Sequence, residues 1–302
     1  SNSDSATFGQ ISVFSRDTRS SNTIFGTADK GKLIEFSSTF TQTFGDASTL
    51  GANWYIDLYN PGTGEITLGP SQNIDGLGSF IMYAGEARRV GVNSGATAFE
   101  SVWTKPFDIT LTSTQNFTWP PGYQDVLPDV IAGGAGGGSG RRGAAGSDRS
   151  GGGGAGTGAR VMKMVSGVTP GTVIACTVGA AGAAGAAVTA DNTDGNAGTA
   201  GGTSSFGAYV VAYGGGAGAG GNNTVVAGAG GGGGELSVGV SGAVSGNGGK
   251  PWPASAIMGQ QGANRDNVGA GGAGASLNSA GAGGGCSEWG GAGGGYGANA
   301  GT

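Results

Sequence analysis

Histidine is absent from the 302 residues. The chain therefore lacks the imidazole that Ser-His-Asp and Cys-His nucleophilic sites, histidine-containing zinc sites and physiological pH switches require. Its two cysteines, Cys176 and Cys286, give neither a metal-ligand spacing nor a disulfide framework. Cys176 lies in the apolar run Val173-Ile174-Ala175-Cys176-Thr177-Val178, where a thiol packs as a small hydrophobe. Glycan hydrolysis needs a pair of carboxylates flanking the scissile bond. After residue 132 the carboxylates are only Asp148, Asp191, Asp194, Glu235, Asp266 and Glu288, and their scatter shows no pairing. Matches to Gly-x-Gly-x-x-Gly carry no weight, because a sequence one-third glycine produces them by chance and no βαβ context accompanies them. The chain reads as a non-enzyme with no cofactor and no metal.

Recognition chemistry is better represented. Trp252 sits between Pro251 and Pro253 in a stiff extended stretch, and Trp289 between Glu288 and Gly290. Indole faces stack on sugar rings or enter apolar grooves at low entropic cost; the competing role for each is to cap a glycine bundle. Tyr296 is a third aromatic candidate. Arg141, Arg142, Arg149 and Arg265 are suited to phosphate or carboxylate partners, or are simply solvated charges. The net charge of −5 and pI of about 4.6 argue against nucleic acid or an anionic membrane as partner. No apolar stretch approaches the roughly 18 residues of a membrane span, so no membrane insertion is expected.

These residues need elements to hold them, and glycine spacing says which. Of the 72 glycines, 58 follow residue 132. Before that point, β-branched and aromatic residues alternate with turn residues: strands are expected at 10–14, 32–44, 54–59, 65–68, 79–83 and 88–92. In 32–44 the residues Ile34, Phe36, Phe40 and Phe44 share one parity and mark a buried face. Residues 1–105 are expected to form an antiparallel, sandwich-like β module. Residues 106–132 form an extended junction in which Trp119 is a packing anchor, and 133–302 a glycine-rich tip domain. Within the tip, Gly179, Gly182 and Gly185 are three apart, as are Gly195, Gly198 and Gly201. That period belongs to the polyproline-II-type helix, which has three residues per turn and no internal hydrogen bonds. Its backbone groups must pair with neighbouring chains, and only glycine lets such backbones approach closely. A flexible linker is the alternative. It does not account for the apolar runs Val161–Val165, Val173–Val178 and Phe206–Tyr213, which frame the glycine tracts. The fold class is thus all-β followed by short strands and packed polyglycine-II-type helices, with almost no α-helix. Contact residues are expected where the glycine array is interrupted, at 141–150, 188–194, 222–226, 250–261, 263–268, 276–280 and 286–289.

The residues also carry a resemblance. Asp29 to Ile34, Gly51-Ala52-Asn53-Trp54, Leu58 to Thr67, Ile74-Asp75-Gly76 and Tyr83-Ala84-Gly85-Glu86 together resemble a β module of tailed-bacteriophage fibre and spike proteins. Phe117-Thr118-Trp119-Pro120, Gly133 to Gly138, Thr203 to Gly207 and Ala212 to Gly216 resemble the glycine-rich domain that ends many phage tail fibres. The resemblance implies a virion protein, a tail-fibre tip or receptor-binding adhesin. It would be a homotrimer, joined through its first module to other tail or fibre proteins and meeting a bacterial surface glycan or outer-membrane protein through its tip. The alternatives are a purely structural head-fibre or decoration protein, a glycan-degrading tailspike and an ice-binding protein. The N-terminal module departs from that of the glycine-rich T-even-like adhesins, so a detachable-adhesin architecture does not carry over.

Overall fold

The computed structural model describes residues 15–147, 149–224 and 227–242, arranged in two compact units. The first takes the chain up to residue 110 together with 118–124 and 167–173. The second takes 111–117, 125–166 and the chain from 174 onward. The described residues are nearly all β, as expected.

In the first unit, β1 (Arg16–Arg19), β2 (Leu33–Phe36), β4 (Tyr55–Tyr59), β7 (Ala87–Val92) and β8 (Phe99–Lys105) form one sheet in the order β1-β2-β4-β7-β8. A second sheet, β3-β5-β6, is built from β3 (Thr41–Thr43), β5 (Ile66–Gly69) and β6 (Phe80–Met82). Both sheets turn inward onto one core, in which Ile34, Phe36, Ile56, Leu58 and Val90 of the first meet Ile66, Leu68, Phe80 and Met82 of the second. The run 32–44 keeps its expected parity, with Ile34, Phe36 and Phe44 buried. It is nevertheless two strands rather than one, because the chain leaves the first sheet after Phe36 and enters the second at Thr41.

That switch corrects the antiparallel expectation. The pairs β1–β2, β2–β4 and β3–β5 are parallel, and β4–β7, β5–β6 and β7–β8 are antiparallel. A chain that visits the opposite sheet between two neighbouring strands returns running the same way, which a two-residue hairpin cannot do. The sole α-helix among the described residues is the single turn α1 (Ala47–Leu50), capped by the Asp46 carboxylate accepting from Ser48 N–H.

The unit is locked by a buried polar cluster. The Glu86 carboxylate accepts from Arg88 Nε at 2.5 Å and from Tyr83 N–H at 2.9 Å, and Arg88 also donates to Ser101 Oγ and the Pro121 carbonyl. Burial pushes the Glu86 carboxyl up, against the pull of the Arg88 charge. Burial likewise pushes the Tyr123 hydroxyl far above its ordinary range, with the Glu86 charge adding to it. Trp119 is the anchor its context suggested: it is fully buried, and its indole N–H donates to the Tyr123 carbonyl at 2.9 Å.

The second unit carries the glycine array, and the array is ordered. Its segments are neither α-helix nor strand, yet their backbone bonds recur every third residue. The N–H groups of Ala132, Ala135, Gly138 and Arg141 donate to the carbonyls of Ala159, Gly156, Gly153 and Ser150 at 2.9–3.0 Å. The intervening series Gly133, Gly136, Ser139 and Arg142 donates to Gly202, Thr199, Asn196 and Thr193. A helix with three residues per turn that presents one row of donors to each neighbour produces this pattern. The segments are named here as rod I (132–142), rod II (150–159), rod III (179–187), rod IV (193–202), rod V (213–221), rod VI (228–234) and rod VII (237–242). Rod V bonds to five others, I, II, IV, VI and VII, and is all glycine and alanine after Tyr213. Among the described residues rod III bonds only to rods I and IV and has glycine at one position in three.

Short strands frame the rods. They are β9 (Gln115–Thr118), β10 (Asp125–Val126), β11 (Asp129–Ile131), β12 (Arg160–Met162), β13 (Val165–Ser166), β14 (Val173–Thr177), β15 (Ser204–Phe206) and β16 (Val210–Ala212). The run Phe206–Tyr213 is not one strand, because β15 and β16 make a hairpin that turns at Gly207, where φ is +54°. Within Val161–Val165, Val165 is buried while Met162 and Met164 are exposed. Cys176 is buried as expected, and burial pushes its thiol up against an opposing hydrogen bond from Phe117 N–H.

Candidate functional site

Rod direction decides where the loops go. Rods III and V run parallel to rod I, since Gly182 and Gly185 bond to Gly134 and Gly137 while Gly215 and Gly218 bond to Gly133 and Gly136. Rods II and IV run antiparallel to rod I, and rod VI antiparallel to rod V. Every connection that leaves an odd rod for the next even one therefore emerges at the same end. These connections, between 142 and 150, 187 and 193, and 221 and 228, fall at three of the interruptions singled out in the sequence, with 148, 225 and 226 outside the described residues.

The three are tied together at and next to the rod ends: the Ala144 N–H of the first reaches the Asn192 side-chain oxygen of the second at 3.5 Å. The Ser150 hydroxyl donates to the Asn222 carbonyl at 2.6 Å, and Arg142 and Thr193 exchange backbone bonds at 3.0 and 3.1 Å. Asn192 holds a left-handed φ of +55°, which an asparagine tolerates better than most side chains. The result is one continuous end surface.

Three of the predicted contact residues meet there. Arg141, Arg142 and Arg149 line an open cleft of about 750 Å3 together with Ser139, Val188 and Asp191. The Arg141 side chain is tucked in, 8% exposed, with Nε 3.0 Å from Asp194 Oδ1. Arg142 is half exposed and holds Asp191 Oδ1 at 2.8 Å. Arg149 is exposed, and no carboxylate pairs with it among the described residues. Trp252, Arg265, Trp289 and Tyr296 lie outside the described residues.

Asp191 and Asp194, read in the sequence as isolated acids, each face an arginine. The signal available was their place in Asp191-Asn192-Thr193-Asp194, a run of turn-forming residues between two three-spaced glycine series. Which arginine each would meet was not written there, since the partners are 49 and 53 residues away. The Arg142–Asp191 pair, exposed on both sides, is worth about 0–1 kcal/mol. The Arg142 guanidinium can thus exchange Asp191 for an incoming phosphate or carboxylate at little cost, and the exposed Arg149 can meet one directly.

A model of the glycine-rich domain matches residues 110–302, the region that contains all the rods. The chain belongs to the glycine-rich domain family. No curated protein matches it. In this chain glycine stands where a rod meets its neighbours' backbones, and Arg, Asp, Asn and Ser occur in the connecting loops.

Proposed function

We propose that the chain is a tailed-phage virion protein, a tail-fibre tip or receptor-binding adhesin that touches the host surface through the loop end of its glycine lattice. The observation that carries this reading is the gathering of three rod connections into one hydrogen-bonded surface. The loops there are free to vary in sequence because the lattice beneath them is held mainly by backbone bonds between rods. In this reading the first unit assembles a homotrimer and joins other tail or fibre proteins. The cleft of Arg141, Arg142 and Arg149 meets anionic groups of an envelope glycan or outer-membrane protein, and Trp252, Trp289 and Tyr296 supply aromatic contacts.

The test is competition. Purified chain is incubated with envelopes from a panel of bacteria, and adsorption of phages to each strain is measured. Protection of particular strains, weakened by the pair Arg142→Glu and Arg149→Glu, is the expected outcome. Protein that resists protease but binds no envelope in the panel would overturn the proposal.

A further inference from the structure

Rod V has six sides, and bonds to rods IV, I, II, VI and VII account for five of them in that order around it. Its donor rows show what the sixth side carries. The N–H groups of Tyr213, Gly216 and Ala219 point to rod VI, and those of Gly215, Gly218 and Gly221 to rod I. The remaining row, Gly214, Ala217 and Gly220, points between rods VII and IV. Ala217 N–H is met by the Ser241 hydroxyl at 3.1 Å. Gly214 and Gly220 are buried, and neither N–H has an acceptor among the described residues. A buried amide left unbonded costs about 1–3 kcal/mol, so two in one row, six residues apart, point to a strand whose carbonyls recur at the same spacing.

We propose that this side of rod V seats one more glycine-rich strand, supplied by residues 291–297 of the same chain. Three considerations select that segment. A strand bonded at the lattice edge needs glycine at every third position along its contact, as rod III shows with Gly179, Gly182 and Gly185, whose side-chain positions all lie against backbone. The described glycine tracts are already engaged in rods I to VII. Among the sixty residues after Gly242, only Gly291, Gly294 and Gly297 make a three-spaced run of three glycines, and they cover the same six-residue span as Gly214 to Gly220. The inference concerns the lattice and holds whatever the loops bind.

Residue-resolved hydrogen exchange on the full-length chain tests it. In the unsubstituted protein, the Gly214 and Gly220 amides are expected to exchange at least about 100-fold slower than in unfolded peptide. Gly294→Leu should speed both by about tenfold or more and leave Gly182 and Gly153 unchanged, while Ala292→Leu, off the glycine row, leaves all four as they were. Should Gly294→Leu loosen the whole lattice, Gly294→Ala is read by the same criteria. Fast exchange at Gly214 and Gly220 in the unsubstituted protein, or no response to substitution at 294, overturns the proposal. So does protection that rises with protein concentration, which would place the strand in a second copy.

Discussion

Replacing Gly182 by leucine tests the lattice at a point where the geometry gives a magnitude. A Cβ at 182 would stand 2.1 Å from the Thr199 carbonyl oxygen and 2.8 Å from Gly136 N. Ordinary contact begins near 3.4 Å, so rod III must retreat from rod IV by more than 1 Å and from rod I by roughly half that. Both obstacles are backbone, so no rotamer change relieves them. The retreat stretches the bonds from Gly182 N–H to Gly134, from Thr199 N–H to Ala183 and from Gly202 N–H to Ala180, now 2.8–2.9 Å long. At about 0.5–1.5 kcal/mol net for each bond, the loss is about 2–4 kcal/mol. For a unit of this size that is a fall in Tm of about 4–16 °C. Two controls separate close packing from a general intolerance of change. Ala183 is exposed on the same rod, so Ala183→Leu should stay within about 0.5 kcal/mol. A Cβ on Gly134 meets nothing within 4 Å, so Gly134→Ala should be neutral or stabilise by up to about 1 kcal/mol through the unfolded chain. Thermal unfolding and limited proteolysis of the three variants are the assay. Equal, negligible effects would refute the lattice and leave a flexible tract.

Further outcomes follow from other sites. Arg88→Ala leaves the buried Glu86 carboxylate uncompensated and should cost about 3–5 kcal/mol in urea unfolding; a cost below 1 kcal/mol would contradict the buried cluster. Burial opposes ionisation of Asp29, but the Gly26 N–H and Lys32 bonds with the Arg19 and Lys32 charges outweigh it and hold its carboxyl below the usual range. Its contribution is therefore complete above the ordinary Asp pKa near 3.9 and lost as pH falls through the lower folded value. Asp29→Asn should flatten the acid limb of the stability curve of the first unit, and an unchanged limb would exclude that role. Cys176, buried with its thiol pushed up, should resist alkylation at pH 8 until the second unit unfolds, as read by mass mapping; rapid labelling of folded protein would refute its packing. Arg142→Glu, at an exposed pair, should leave Tm within about 1 kcal/mol equivalent and, on the proposed function, reduce envelope binding.

The alternation of Ile34, Phe36 and Phe44 fixed which face of the first module is buried, because side-chain parity is a local property of an extended chain. It did not show that the chain changes sheets between Phe36 and Thr41, since apolar parity is the same whichever sheet a strand joins. Phe206–Tyr213 shows the same limit. Its apolar content is that of one strand or of two, and the turn at Gly207 is a single residue among many glycines.

For the glycine-rich unit, the sequence by itself determined the element. Glycine at every third position serves a three-residue helix whose neighbours touch its backbone, and the absence of histidine removed whole classes of chemistry. Tertiary structure decided which rods are neighbours, that three loops share an end, and that Arg141 and Arg142 face Asp194 and Asp191. The reason is that rods are joined N–H to carbonyl. Those groups are the same in every residue, so the sequence can mark a surface as fit for close approach without naming what approaches it.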